Sequence, residues 1–321
     1  MNKISVEPCT FLFGLSFSLI GVQVSTLYIQ KTCKVGSYFF GNETFSNEVN
    51  HLIFCFQKIS QILQICDNLF NGTFTDEQKI VQEVTAKVEI VTQILKQVPM
   101  VIFALFLGPW SDRAGRKMLI LLPFLGMCLY CIAFIVNVYF FDELVVEFLW
   151  FESIASFFGG YIMFFLGAYG YIADTTSVKS RTVRLAIMDG MFAVAETIGS
   201  YINPYLYAEF GYYGNFGCAL VFNILGLLIA YLTVQNNKIT AKNHDKKGIF
   251  NLTNVLGSFK VLFKQRPKNL RHIVLILFFC FQIWGFSAGG TSSINYLYVR
   301  RNFNWTDENT LVRLLSFCIH L

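Results

Sequence analysis

The sequence predicts an all-α protein that crosses a lipid bilayer several times. Of its 321 residues, 55% are hydrophobic and only 14% are charged, whereas soluble domains carry about a quarter charged residues. The hydrophobic residues come in blocks of about 20, the length at which a helix crosses the hydrocarbon core of a membrane. These observations exclude soluble enzyme folds and nucleic-acid-binding modules, so we expect no nucleic-acid partner.

Hydrophobic runs bounded by charged residues predict seven complete spans. They cover residues 10–29, 99–108 with an amphipathic lead-in, 118–140, 150–173, 185–205, 215–234 and 273–297. The lead-in begins at Thr75, which with Gln78 forms a capping box at a helix start. An eighth run begins near Thr310 and reaches Leu321. It is shorter than the ~17 residues that a crossing needs, so we expect a C-terminally truncated chain or gene model.

The loop charges predict the orientation of the spans. Most Lys and Arg residues of the loops lie in 112–117, 174–184 and 235–272. The alternate short loops contain only Arg300 and Arg301. Because positive loops remain in the cytoplasm, the N-terminus is predicted to be cytoplasmic. A seven-helix receptor would have the opposite orientation. The same spans suit the plasma membrane or an endolysosomal membrane.

The external side is predicted to hold a long segment, 30–97, and three glycosylation sequons at Asn42, Asn71 and Asn304. It also holds an odd number of cysteines, so at most one internal disulfide forms, with its pairing open. These cysteines are Cys33, Cys55 and Cys66.

Three parts of the chain are predicted. Residues 1–234 form a six-span bundle, residues 235–272 a cytoplasmic linker, and residues 273–321 an incomplete second bundle. The second half of the linker is amphipathic and lysine-rich, which is typical of a helix lying against the headgroups of the bilayer.

The strongest local motif is the run GPWSDRAGRK at 108–117, between the second and third spans. It resembles the G-x-x-x-D-R-x-G-R-K signature of the major facilitator superfamily through Gly108, Asp112, Arg113, Gly115, Arg116 and Lys117. Glycines permit close helix approach and sharp turns, and the aspartate can accept hydrogen bonds from the arginines. The motif predicts a conformational latch; the alternative is that its cations only anchor the loop at the membrane surface.

Further segments resemble the solute carrier 46 family, which includes a proton-coupled folate transporter. They are Glu7-Pro8, Gln23, Tyr28, Lys31-Thr-Cys33, the run from Gly159-Gly160 to Asp174, and Arg181-Thr-Val-Arg184. The resemblance implies the superfamily's N-terminal six-helix bundle plus the start of the second. It also implies a secondary transporter that moves protons with an organic solute, anionic or heteroaromatic and folate-like, by alternating access.

Two carboxylates lie inside the predicted fifth span. Asp189 and Glu196 are seven residues apart, which places them on one helix face about 10 Å apart along the axis. An acid at mid-membrane costs about 2.5–3.5 kcal/mol, so each needs a watery cavity, a cationic partner or a proton. The resemblance implies that Asp189 stands where a family member has a Glu tied to proton coupling. The alternative is that Asp189 reaches the headgroups or pairs with Arg184.

Uncharged polar residues inside the spans are weaker indicators of a pathway. Gln23 and Gln282 are candidates for contact with solute. Polar side chains of this kind also form hydrogen bonds between neighbouring helices, and that alternative applies to each of them.

No metal site, cofactor or enzymatic activity is predicted. The pair Cys128 and Cys131 has metal-like spacing but no histidine nearby, and the four histidines are scattered along the chain. The remaining alternative is a truncated membrane protein that does not transport, and that instead forms an oligomer with, or regulates, a full-length relative.

Overall fold

The computed structural model describes residues 6–34, 75–144, 151, 153–235, 271–283 and 285–287. Its helices are α1 (Glu7–Lys34), α2 (Thr75–Ala114), α3 (Lys117–Tyr139), α4 (Ile154–Phe157), α5 (Gly160–Thr175), α6 (Val178–Thr233) and α7 (Arg271–Ser287). Five helical stretches of this described part are long and apolar enough to cross a membrane. The predicted class, an all-α polytopic membrane protein, is confirmed.

Helix α6 contains two crossings rather than one. Its 56 residues would extend about 84 Å, whereas the hydrocarbon core is about 30 Å thick. The helix breaks at Gly211, where φ is +60° and ψ is −151°. The predicted fifth and sixth spans, 185–205 and 215–234, lie on either side of this break. We call residues 178–210 the first half of α6 and residues 212–233 its second half.

The second and fourth spans differ from the predicted runs. Helix α2 is continuous from Thr75, as the capping box and the amphipathic lead-in predict, but its apolar part, Ile90–Ser111, is about twice as long as the predicted 99–108. The fourth span is interrupted between α4 and α5, because Gly159 has φ +85°. A Cβ on Gly159 would lie 2.6 Å from Met163 Cβ, so this tight turn requires glycine.

Helix α1 is largely buried within the bundle and packs most extensively against α6. Near its start, Phe13 stacks on Phe164 of α5 with ring centroids 4.2 Å apart. Phe124 of α3 meets both rings edge-on at 5.5 Å. Such aromatic pairs contribute about 0.5–1.5 kcal/mol beyond their buried area, so this triad joins three spans.

Small residues bring α1 and the first half of α6 close together. A Cβ on Gly14 would lie 2.9 Å from Ala195 Cβ, and a Cβ on Gly199 would collide with the Ser18 hydroxyl. Contacts of this kind replace the hydrophobic effect as the source of helix association inside a membrane.

Candidate functional site

The motif at 108–117 forms the turn between α2 and α3. Gly115 turns the chain with φ +102°, and a Cβ on Gly108 would lie 3.3 Å from Leu166 Cδ2 of α5. The side chains of Asp112 and Arg113 lie outside the described part of the structure, so the predicted bond from Asp112 to the arginines stays a prediction.

Arg116 connects this turn to the end of α5. Its Nε donates to Asp174 Oδ2 over 3.2 Å, and its Nη1 donates to Ser111 Oγ over 3.0 Å. The guanidinium lies over Gly170, where a Cβ would come within 2.9 Å of it. The pair is partly solvated, because the Asp174 side chain is 51% exposed.

Lys117 connects the same turn to the C-terminal end of α6. Its Nζ donates to the Tyr231 backbone carbonyl over 2.6 Å and lies 4.7 Å from the centre of the Tyr231 ring. A cation near the last carbonyls of a helix stabilises them through the helix dipole. The motif therefore contacts both α5 and α6.

Arg184 pairs with Glu7, at the first turn of α1. Its Nη2 and Nε donate to Glu7 Oε1 over 2.6 Å and 2.8 Å, and its Nη1 donates to Thr176 Oγ1 over 3.1 Å. Arg181 Nη2 donates to the Ala173 carbonyl over 2.8 Å. Both arginines, predicted in the loop 174–184, lie in the first turns of α6, and their guanidinium groups face the protein.

The two carboxylates of α6 have different surroundings. Asp189 is exposed and accepts a hydrogen bond of 2.7 Å from the Tyr169 hydroxyl of α5, whereas Arg184 pairs with Glu7 and not with Asp189. Glu196 is half-buried, and the described residues provide neither a cation nor a hydrogen-bond donor to it.

Gln23 lies inside the bundle, between α1 and α6. It is 3% exposed, and its Nε2 donates to Asn203 Oδ1 over 2.6 Å. This is the helix-to-helix alternative for Gln23, since bonds of this type tie neighbouring spans together. Gln282, on α7, is exposed.

The three sequons, Asn42, Asn71 and Asn304, lie outside the described residues, as do Cys55 and Cys66. Cys128 and Cys131 are buried free thiols. Within the described ranges, no group of three or more His, Cys, Asp or Glu residues is arranged to hold a metal.

Sequence reasoning missed a buried lysine at the opposite end of α1. Lys31 is fully buried, and its Nζ donates to Asn137 Oδ1 over 2.7 Å and lies 5.5 Å from the centre of the Phe141 ring. Burial lowers the pKa of Lys31 from 10.5 to about 8, partly opposed by the charge of Asp142. A lysine just beyond a span usually reaches solvent, so the sequence held no signal for this burial.

Comparison with known proteins identifies the family. The profile of the Major Facilitator Superfamily matches residues 8–319. The chain is 26% identical over 225 residues to the lysosomal proton-coupled steroid conjugate and bile acid symporter of Gallus gallus, covering 69% of this chain and 48% of the relative.

Two further relatives are transporters by name. The probable peptidoglycan muropeptide transporter of Drosophila melanogaster is 25% identical over 283 residues, covering 84% of this chain and 54% of the relative. The proton-coupled folate transporter of Bos taurus is 27% identical over 174 residues, covering 53% and 36%. The chain thus spans about half the length of the first relatives it matches. The chain belongs to the major facilitator superfamily, and the relatives named here place its similarity with transporters of solute carrier family 46.

Proposed function

We propose that this chain forms the N-terminal six-helix bundle and the start of the second bundle of a secondary transporter. The transporter moves an organic solute together with protons by alternating access of two bundles around a midplane site. Family membership supports transport, and the names of two relatives support proton coupling. The observation that carries the proposal is Glu196, a half-buried carboxylate within a spanning helix.

Proton coupling follows from the free energy of a charge in the membrane. An ionised carboxylate at mid-membrane is costly unless water, a cation or a proton compensates it. The described residues provide no cation at Glu196, so either a water-filled cavity or a bound proton must compensate its charge. A carboxyl that gains a proton on one side and loses it on the other couples protons to the conformational change. Glu196 therefore takes the principal proton-carrying role, and Asp189, held by Tyr169, lies at the edge of the same pathway.

The names of the relatives support a chemical class for the solute. The relatives are named for steroid conjugates and bile acids, for muropeptides and for folate. We propose an organic solute of anionic or heteroaromatic character. Gln282 belongs to the second bundle in this proposal and faces the solute from there, whereas Gln23 supports the packing of α1.

The motif at 108–117 acts as the latch of this transporter. Its residues contact α5 through Arg116 and α6 through Lys117, so a movement of the turn changes its contacts with both helices. In the proposed orientation this end of the bundle faces the cytoplasm, and the sequons at Asn42, Asn71 and Asn304 are glycosylated on the other side. The membrane is the plasma membrane or an endolysosomal membrane.

The proposal is tested by uptake into proteoliposomes that contain the purified chain. Labelled steroid conjugate, bile acid, folate and muropeptide are offered at an external pH of 5.5 or 7.5 with the lumen at 7.5. We expect acid outside to increase uptake of at least one solute. Glu196→Gln should abolish this pH response, whereas Glu209→Gln, which changes an exposed carboxylate of the same helix, should preserve it.

Two outcomes would contradict the proposal. An equal pH response in wild type and Glu196→Gln would remove Glu196 from the coupling. No uptake of any solute, together with co-purification of the chain with a full-length relative, would favour the alternative of a regulatory partner.

A further inference from the structure

Three buried amide side chains line the contact between α1 and the second half of α6, which we call the α1–α6 seam. Gln23 lies on α1, and Asn215 and Asn223 lie on α6; they are 3%, 0% and 0% exposed. Their carbonyl oxygens, Gln23 Oε1, Asn215 Oδ1 and Asn223 Oδ1, receive no hydrogen bond from any described residue. Buried acceptors without a donor are rare and destabilising.

Neighbouring backbone carbonyls fix which end of each amide is the acceptor. Asn203 must direct its Nδ2 at the Leu19 carbonyl, 2.7 Å away, because that oxygen can only accept. Its Oδ1 is therefore an acceptor, and Gln23 and Asn215 direct their NH₂ groups at it over 2.6 Å and 3.4 Å. Turning either amide round would place two oxygens together, so the free oxygens are a necessary result of this arrangement.

Asn223 forms a second layer of the seam, nearer the start of α1, and its acceptor end is fixed in the same way. Asn223 Nδ2 donates to the Ala219 carbonyl over 2.9 Å and to Ser16 Oγ over 2.5 Å, and Cys131 Sγ lies 3.9 Å from it. Ser16 and Gln23 are seven residues apart on α1, which separates the two layers by about 10 Å. The seam therefore contains two separate groups of acceptors.

The chemistry of the seam selects its ligand. The ligand must donate hydrogen bonds, because every free atom is an acceptor. A cation would be buried among neutral amides with no carboxylate among the contacts of these side chains, and burying an unpaired charge is prohibitively costly. A large solute is excluded because the amides are fully enclosed. Water is small and neutral and has two hydrogens to donate, and proteins hold about one buried water per 27 residues, bonded to polar groups that have no other partner.

We propose that the α1–α6 seam holds a bound water at each layer, one donating to Asn223 Oδ1 and one to the carbonyl oxygens of Gln23 and Asn215. These waters connect span one to span six, so the two helices move as one unit. The seam is then a hydrated support inside the bundle and separate from the solute pathway.

Radiolytic labelling tests the layer at Asn223. A short X-ray pulse converts water into hydroxyl radicals, which oxidise adjacent sulfur. Cys131 and Cys9 are both fully buried, but only Cys131 contacts Asn223. In the purified full chain in lipid nanodiscs, we expect Cys131 to be oxidised at least fivefold faster than Cys9. Oxidation of Cys131 at or below the rate of Cys9 would overturn this site.

Substitution tests the layer at Asn215. The hydrogen bond of 3.4 Å to Asn203 is weak, so little else is lost in Asn215→Leu. If water donates to Asn215, the substitution removes that bond and lowers Tm. If no water bonds to Asn215 Oδ1, the substitution removes an unsatisfied buried acceptor and raises Tm. A raised or unchanged Tm would overturn this site. Asn203→Leu removes an amide whose oxygen and nitrogen are both hydrogen-bonded, so it is the reference for a large decrease in Tm.

Discussion

The buried pair of Arg184 and Glu7 connects the first turn of α1 to the start of α6. Two donors of the guanidinium share Glu7 Oε1 at 2.6 Å and 2.8 Å, and the side chains are 12% and 3% exposed respectively. Breaking a buried pair by removing one partner costs about 3–5 kcal/mol, since the other charge remains uncompensated. We therefore expect Glu7→Ala to lower the free energy of unfolding by about 3–5 kcal/mol.

A double-mutant cycle separates this interaction from other effects of each substitution. Glu7→Gln, Arg184→Met and the double variant are unfolded with a denaturing detergent, and the free energy of unfolding is measured for each. Arg184→Met removes the bond from Arg184 to Thr176 whether residue 7 is Glu or Gln, so the contribution of this bond cancels in the coupling energy. We expect Glu7→Gln to cost less than Glu7→Ala, because the amide oxygen still accepts, and the coupling energy to be about 1.5–3 kcal/mol.

The chain provides a second, more solvated ion pair as control. Arg116 and Asp174 are joined by a single contact of 3.2 Å with the carboxylate half in solvent, and exposed pairs couple by about 0.2–1 kcal/mol. A coupling energy for Glu7 and Arg184 no larger than that of Arg116 and Asp174 would refute the reasoning from burial.

Two further predictions concern packing and pH. Gly199→Val should lower the yield and Tm of the purified chain, because a Cβ at this position collides with Ser18. Gly190→Ala is the control and should leave both unchanged, because a Cβ there has no neighbour within 4 Å. Equal losses in the two variants would contradict the close approach of α1 and α6. The lowered pKa of Lys31, about 8, means that the unfolded chain binds more protons between pH 8 and 10.5, so stability should rise with pH across that window. This rise in Tm should be smaller in Lys31→Met, and an identical slope in both proteins would contradict the burial of the ammonium group.

Spans were predictable from the sequence where hydrophobic runs are long and bounded by charge. The predicted run 118–140 agrees with α3, Lys117–Tyr139, within one residue at each end. The break in the fourth span was not predictable, because the sequence does not distinguish a glycine in the left-handed conformation, such as Gly159, from a glycine within a helix. The start of α2 at Thr75 was predictable from its capping box, whereas the length of its apolar part was underestimated because the turns before Pro99 mix apolar and polar residues.

Contacts between distant residues account for most of what the sequence did not reveal. Glu7 and Arg184 are 177 residues apart in the chain, and no local pattern indicates that they meet rather than Arg184 and Asp189. Likewise, the sequence does not distinguish an Asn that faces solute from an Asn that bonds to another helix. The bonds from Asn203 to Gln23 and to the Leu19 carbonyl make that distinction.

Solute-driven proton movement tests the proposed coupling most directly. Proteoliposomes containing the chain and a pH-sensitive dye in the lumen are given a transported solute at equal pH on both sides. Proton symport predicts that solute entry acidifies the lumen in the wild type and in Glu209→Gln, and that Glu196→Gln shows no acidification. Solute entry without any change in luminal pH, or the same acidification in Glu196→Gln, would contradict the assignment of Glu196 as the proton carrier.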